Sequence, residues 1–217
     1  RMTTEQARFN MIEQQVRPWN VLDPFVLGLL DQISRDDFVQ PAQRSMAFMD
    51  LELPLPCGQV MLAPRVQARL LQDAQLQPTD KVLQIGAGSG YLTALLARSA
   101  QSVVAFEIHP ELAQFARDNL HRTGIHADVR DGCGFKGAQA TGPFDAIVLC
   151  GSVAEVPHDL LSQLKIGGRL VAITGNEPSM QTIRITRDSE NSYTTEELWD
   201  VVVQRLEGVT EPTSFRF

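Results

Sequence analysis

Lys81-Val82-Leu83-Gln84-Ile85-Gly86-Ala87-Gly88-Ser89-Gly90-Tyr91-Leu92-Thr93 is an apolar run that enters glycines at alternate positions and leaves as a helical pattern. The first five residues suit a buried strand. The glycines suit a turn in which the backbone comes close to a ligand with no β-carbons in the way. A strand, such a turn and then a helix N-terminus make a place where a nucleotide-like molecule can lie against the main chain. The spacing narrows the choice. Dinucleotide binders use GxGxxG, whose last glycine lets helix and strand pack around a pyrophosphate. Tyr91 stands at that position here, which disfavours a nicotinamide-dependent dehydrogenase.

Outward from this stretch the chain alternates short apolar runs with longer helical ones. Strands are expected at Lys81 to Ile85, Ser102 to Glu107, Ala127 to Arg130, Phe144 to Leu149 and Arg169 to Thr174, with helices near Gly90 to Arg98, Pro110 to Thr123 and Pro157 to Leu164. Repeated strand-helix-strand units imply a mostly parallel sheet covered on both faces. Near the end, Gln181 to Arg187 and Thr195 to Leu206 are joined by the turn-rich Asp188-Ser189-Glu190-Asn191-Ser192, too short for a crossover helix, so they read as an antiparallel hairpin. The fold class is therefore α/β, a doubly wound, mostly parallel seven-stranded sheet. Before it, apolar residues such as Phe9, Ile12, Val16 and Leu29 recur at helical spacing between Glu5 and Phe38, broken at Pro18 and Pro24. Residues 39–64 are proline-rich and irregular, with a short strand expected around Gln59 to Leu62, and a helix follows from Pro64 to Leu76. Residues 2–64 read as a helical extension with a substrate-side segment, and residues 65–217 as the ligand-binding domain.

The ends of the next two strands carry acids. Val103-Val104-Ala105-Phe106-Glu107 places a carboxylate about twenty residues past the glycines, where such a group can accept both hydroxyl hydrogen bonds of a ribose; Ile108 follows it. Asp131-Gly132 then offers an acceptor for an adenine amino group and a glycine that lets the ring approach. Each acid alone could be a solvated helix-start or turn residue. Together with Gln84 and Gly86, Ala87, Gly88, Ser89 and Gly90 they lie at one edge of the sheet, where ligands of such folds bind. A GxGxG turn suffices to cup the methionine part of S-adenosylmethionine, which has no pyrophosphate.

Composition sets the outer limits. A net charge of −7 repels polyanions, so nucleic acid is not expected as a partner. With 43% hydrophobic and 21% charged residues the composition is that of a globular chain. No apolar run approaches membrane-spanning length, and a cytoplasmic protein is expected. Cys57, Cys133 and Cys150 show no disulfide or metal spacing, and His109, His121, His126 and His158 are scattered, so no metal site is expected.

The chain resembles protein-L-isoaspartate O-methyltransferases. Met11-Ile12-Glu13-Gln14-Gln15, Arg35-Asp36-Asp37-Phe38-Val39, Leu53-Pro54-Leu55 before Gly58-Gln59, Ala63-Pro64, the glycine stretch and Phe144-Asp145-Ala146-Ile147-Val148 carry the likeness. It implies a class I methyltransferase fold, S-adenosylmethionine as cofactor with S-adenosylhomocysteine as product, and methylation of the α-carboxylate of isoaspartyl residues in damaged proteins. The departures are local. Family members carry a Thr-Ile-Ser-x-Pro-His type segment whose Ser is assigned to the active site, whereas this chain reads Val60-Met61-Leu62-Ala63-Pro64-Arg65. Their Val-Arg-Phe-Val-Pro-Leu type strand is here Val201-Val202-Val203-Gln204-Arg205-Leu206, and Gln84 replaces the usual Glu, giving up a charge-assisted bond.

A carboxylate nucleophile is ionised at neutral pH and needs no general base, so the enzyme's contribution is alignment and exclusion of water. The expected substrate pocket comprises Met61, Leu62 and Arg65 on one side and Cys150, Gly151 and Ser152 on the other. Arg65 is a candidate for holding the acceptor carboxylate through its guanidinium fork. Three readings stay open on sequence alone: methylation of a protein or peptide carboxylate, a methyltransferase with another acceptor, and a binding protein without catalysis. The oligomeric state is not legible.

Overall fold

The computed structural model describes residues 2–137 and 141–209, so the end of the expected 65–217 domain lies outside the described residues. The centre is a seven-stranded sheet in the order β5-β4-β3-β6-β7-β8-β9. Its strands are β3 (Lys81–Ile85), β4 (Ser102–Glu107), β5 (Asp128–Asp131), β6 (Phe144–Val153), β7 (Leu164–Asn176), β8 (Ser179–Arg187) and β9 (Tyr193–Asp200). β5 to β7 pair in parallel through β4, β3 and β6, whereas β8 and β9 are antiparallel. The expected hairpin is present, but β9 stops at Asp200. Residues 201–209 do not complete the expected strand to Leu206; they turn away from β8, and Arg205 forms an isolated parallel bridge with Ser152 of β6.

The chain steps from β3 outward to β5 and then returns to place β6 on the other side of β3. The strand order thus reverses beside the end of β3, the position where open α/β sheets bind ligands. α4 (Tyr91–Ser99) and α5 (Pro110–Arg122) carry the crossovers, and Pro110 starts α5 where its missing N–H costs nothing. The expected helix at Pro157 to Leu164 is reduced to the single turn α7 (His158–Leu161), because β7 already begins at Leu164.

Alternation along the strands sorts the core into two layers. Val82, Val103, Ala105 and Val148 face one side, where α3 (Pro64–Asp73), α4 and α5 pack together with the N-terminal elements. Leu83, Ile85, Val104 and Phe106 face the other, covered by α7 and by Phe135 of the short α6 (Gly134–Gly137).

The N-terminal part is helical as expected: α1 (Thr4–Met11) begins with a capping box between Thr3 and Gln6, and α2 (Pro24–Gln32) is capped by Asp23. A π-helical turn, Ile12–Val16, and several 3-10 turns fill the gaps. Two short strands, β1 (Leu53–Pro54) and β2 (Val60–Met61), form an antiparallel pair that carries residues 53–62 to the ligand edge of the sheet. Among the described residues, no helix is long and apolar enough to cross a membrane.

Candidate active site

A cleft opens at the carboxyl ends of β3, β4 and β5. Its floor is formed by Gly86, Gly88, Glu107, Ile108 and Gly132, and its far wall by Cys133 and Phe135. Leu55, Gln59, Val60 and Leu62 wall the near side, and Cys150, Gly151 and residues 204–207 close the last.

The glycines have distinct physical tasks. Gly86 is left-handed at φ 89°, and a β-carbon there would lie 3.1 Å from Leu206 Cδ2. Gly90 serves helix packing, because a β-carbon would lie 3.1 Å from the Ala116 carbonyl oxygen of α5. Gly132, at φ 123°, has no atom within 4 Å of where its β-carbon would stand, so it leaves open space beside the cleft. Ala87 and Ser89 complete the turn: the Ala87 amide donates to the Phe106 carbonyl and the Ser89 carbonyl accepts from Asn119.

Glu107 is buried, with 5% of its surface exposed. Its Oε1 accepts from the Gly88 amide at 3.0 Å and its Oε2 from the His109 amide at 3.2 Å. Burial pushes its carboxyl above the usual carboxylate range, and these amide bonds act against that shift. A buried acceptor with two oxygens on the floor, left-handed glycines on either side of it and an apolar ring wall at Phe135 together fit a nucleoside with a vicinal diol.

Several predicted residues stand elsewhere. Asp131 does not line the cleft: it is exposed, and its Oδ1 accepts both Arg117 Nη atoms at 3.1 Å, so only Gly132 of that pair reaches the floor. Arg65 is drawn the other way, because side chains in the first turn of a helix lean back toward its N-terminus. Its guanidinium pairs with Asp50 and lies 4.5 Å over the Trp19 ring, so it is not part of the cleft wall.

Gln84 is fully buried beneath the turn, accepting from Thr93 Oγ1 at 2.6 Å and donating to Cys150 Sγ at 3.3 Å. Met61 lines a small cavity at this level together with Leu62 and Gln84. Cys150, Gly151 and Ser152 were expected after the fourth strand of the sheet but belong to β6, at an irregularity in its pairing with β7. Burial pushes the Cys150 thiol up to about 12, so it is neutral near pH 7 and no rival nucleophile.

The segment after β9, which the resemblance implies as a wall of the substrate pocket, lines the cleft through residues 204–207, but as an irregular segment and not as the expected strand. It crosses the carboxyl edge of the sheet, where the Ser152 amide donates to the Gln204 carbonyl and the Leu206 amide to the Ser152 carbonyl, both at 2.8 Å. Leu206 packs against Gly86 and Gly151. Glu207 is joined to His109 at 3.1 Å, and Arg205, the basic residue among the described lining residues, reaches Asn176 Oδ1 at 2.6 Å. A local signal for this excursion was lacking, since Val201-Val202-Val203 reads as more strand. Among the described residues, no group of three or more His, Cys, Asp or Glu side chains is placed to hold a metal ion.

Comparison with known proteins identifies the family and the fold. The family model described as Protein-L-isoaspartate(D-aspartate) O-methyltransferase matches residues 6–205. The chain is 38% identical over 199 residues to protein-L-isoaspartate O-methyltransferase 2 of Pelobacter propionicus, covering 91% of this chain and 88% of that one. It is 37% identical over 191 residues to the protein-L-isoaspartate O-methyltransferase of Rhodopseudomonas palustris, covering 87% and 88%. In fold it is similar to a Plasmodium falciparum protein described as a putative protein-L-isoaspartate O-methyltransferase in complex with S-adenosyl-L-homocysteine. The TM-score there is 0.78 at 20% identity, over 95% of this chain and 99% of that one.

Proposed function

We propose that this chain, which belongs to the protein-L-isoaspartate O-methyltransferase family, transfers a methyl group from S-adenosylmethionine to the α-carboxylate of isoaspartyl residues in proteins. The observation that carries the reading is the shared cleft: the Glu107 carboxylate and the glycine turn lie on the floor, and the family's substrate-side segment, Leu55 to Leu62, forms the adjoining wall. The family-level expectations of fold, cofactor and enzyme class follow from the same membership.

When bound, S-adenosylmethionine supplies an electrophilic methyl on a cationic sulfur. Glu107 would hold the ribose hydroxyls, Gly132 and Phe135 would flank the adenine, and the turn at Gly86 would take the methionine part; all four residues line the cleft. Gln84 holds the turn from below through Thr93 and Cys150. Leu55, Val60, Leu62 and Leu206 make the reacting end apolar, which excludes water and strengthens the pull between an anionic acceptor and a cationic donor. The chain's share of catalysis is alignment, for which such sites supply up to about 7–11 kcal/mol. Leu62 lacks the hydroxyl that family members place here, so turnover lies below that of relatives carrying the serine.

In this reading residues 2–64 form the substrate side and the remainder holds the cofactor. The three cysteines are free thiols, which supports a cytoplasmic setting. The test is transfer of labelled methyl from S-adenosylmethionine to an isoaspartyl peptide, with the aspartyl peptide as control. Saturable binding of S-adenosylhomocysteine without label transfer would replace this reading by one with another acceptor, which the leucine at position 62 favours.

A further inference from the structure

Arg35 is a fully buried arginine whose hydrogen-bond partners include no carboxylate. It sits in the 3-10 turn Arg35–Phe38, with none of its surface exposed. Nη2 donates to the Leu62 carbonyl at 2.7 Å, and Nη1 donates to Oε1 of Gln67 on α3. The guanidinium carbon lies 5.3 Å from the centroid of the Tyr91 ring, and Phe38 meets the same ring edge-on at 5.6 Å. Burial pulls its pKa down to about 10, still far above neutrality, so the charge is kept.

Burying a cation with only neutral acceptors is costly, and a well-packed apolar side chain would generally give an equal or more stable core. The position of its partners suggests what the charge achieves. Leu62 is the cleft wall at the reacting end, Gln67 lies in the helix that follows it, and Tyr91 is the first residue of the helix that leaves the glycine turn. The planar fork of one guanidinium therefore ties the substrate-side wall to the cofactor-side helix across the N-terminal part of the molecule.

Resting on the reading that methyl transfer takes place in this cleft, we propose that Arg35 is a positioning residue for that reaction: it holds the Leu62 backbone in register with the glycine turn. The side chain touches neither reactant. Its effect passes through the Leu62 carbonyl, and Leu62 itself, lacking a hydroxyl, offers no side-chain anchor that could replace it.

The experiment compares wild type with Arg35→Met, Arg35→Lys and Gln67→Leu. It reads thermal midpoint, calorimetric affinity for S-adenosylhomocysteine, kcat and KM with an isoaspartyl peptide, and hydrogen exchange. Misplacement by an ångström can cost about a hundredfold in rate, so kcat of Arg35→Met is expected to fall by roughly tenfold to a hundredfold. Arg35→Lys, which still reaches one acceptor, should recover part of it, and Gln67→Leu should lose less. Affinity for S-adenosylhomocysteine should stay within about threefold, because Arg35 bonds to Gln67 and the Leu62 carbonyl and not to Glu107 or the glycine turn, while exchange rises over residues 60–63 and not over β3. Unchanged kcat and exchange in folded Arg35→Met, or in folded Arg35→Lys and Gln67→Leu should the first not fold, would overturn the proposal. So would losses of midpoint, affinity and kcat in parallel, which mark a residue that only stabilises the core. A wild type that binds S-adenosylhomocysteine but transfers no methyl would instead overturn the functional reading beneath it, and this role with it.

Discussion

The Gly88 amide donates to Oε1 of Glu107 at 3.0 Å, joining the middle of the glycine turn to a carboxylate 19 residues further along the chain. The floor of the cleft is therefore locked by the acid assigned to the ribose. Glu107→Ala should weaken binding of S-adenosylhomocysteine by about 1.5–3 kcal/mol, the range for hydrogen bonds to a charged group. Calorimetry reads this directly, and an unchanged dissociation constant would return Glu107 to a role in shaping the turn alone.

The same residue gives a pH dependence. Burial raises the folded-state pKa of Glu107, so the folded chain holds this proton more tightly than the unfolded one. Its contribution to stability is greatest below the ordinary glutamate value of about 4.3 and is lost as pH rises through the raised folded value. Cofactor binding runs in the opposite direction, since the ionised carboxylate can accept both ribose hydroxyls. Affinity should therefore fall as pH drops through that window, and Glu107→Gln should flatten the curve. A slope that survives in Glu107→Gln would assign the titration to another group.

Gly86→Ala separates backbone strain from crowding. At φ 89° a β-carbon is strained wherever it points, at about 1–2 kcal/mol, and here it also meets Leu206. Denaturant midpoints should fall for Gly86→Ala and recover only the packing part in Gly86→Ala combined with Leu206→Ala. Full recovery would mean that the turn tolerates a side chain and that Leu206 alone set the requirement for glycine.

Away from the cleft, the Trp199 indole N–H donates to Asp73 Oδ2 at 2.7 Å in a buried bond between β9 and α3. Trp199 also meets Trp19 edge-on at 5.6 Å, so one side chain ties the last strand to the N-terminal part. Asp73→Ala leaves the indole without its acceptor and should cost about 1–3 kcal/mol, whereas Asp73→Asn keeps an acceptor oxygen and should cost less. Equal melting points for the two would show that the bond contributes nothing net.

What was legible in the sequence were the features set by local periodicity. The strands around Val82 to Phe106, the glycine turn and the position of Glu107 depend on neighbours in the chain. Asp131 and Arg65 show what a position at a strand or helix end does not reveal: a partner distant in sequence or on another element holds each side chain. Arg117 comes from α5 and Asp50 from the loop before β1. The excursion of residues 201–209 was illegible because Val201 to Val203 has strand composition, and only the ladder to Ser152 shows where it goes. Arg35 drew notice as part of a motif, but no pattern marks a charged side chain that will be wholly buried.

The displacement of Arg65 decides the last prediction. A serine hydroxyl at position 62 would offer the acceptor carboxyl a hydrogen bond in an apolar pocket, and its absence costs about 1–3 kcal/mol, up to about 160-fold in rate. Arg65 could replace that bond only if its guanidinium reached the cleft, and it is instead held by Asp50 and the Trp19 ring. Leu62→Ser should therefore raise kcat for an isoaspartyl peptide, by as much as about a hundredfold if the hydroxyl adopts the geometry it has in relatives. Arg65→Ala should leave kcat within about twofold and lower the melting point slightly through the lost stacking on Trp19. The two substitutions act on opposite sides of the Ala63-Pro64 link, so their effects should add in the double variant. Loss of turnover in Arg65→Ala together with none gained in Leu62→Ser would mean that the arginine swings into the cleft when substrate binds, and that the wall seen here is not the one that works.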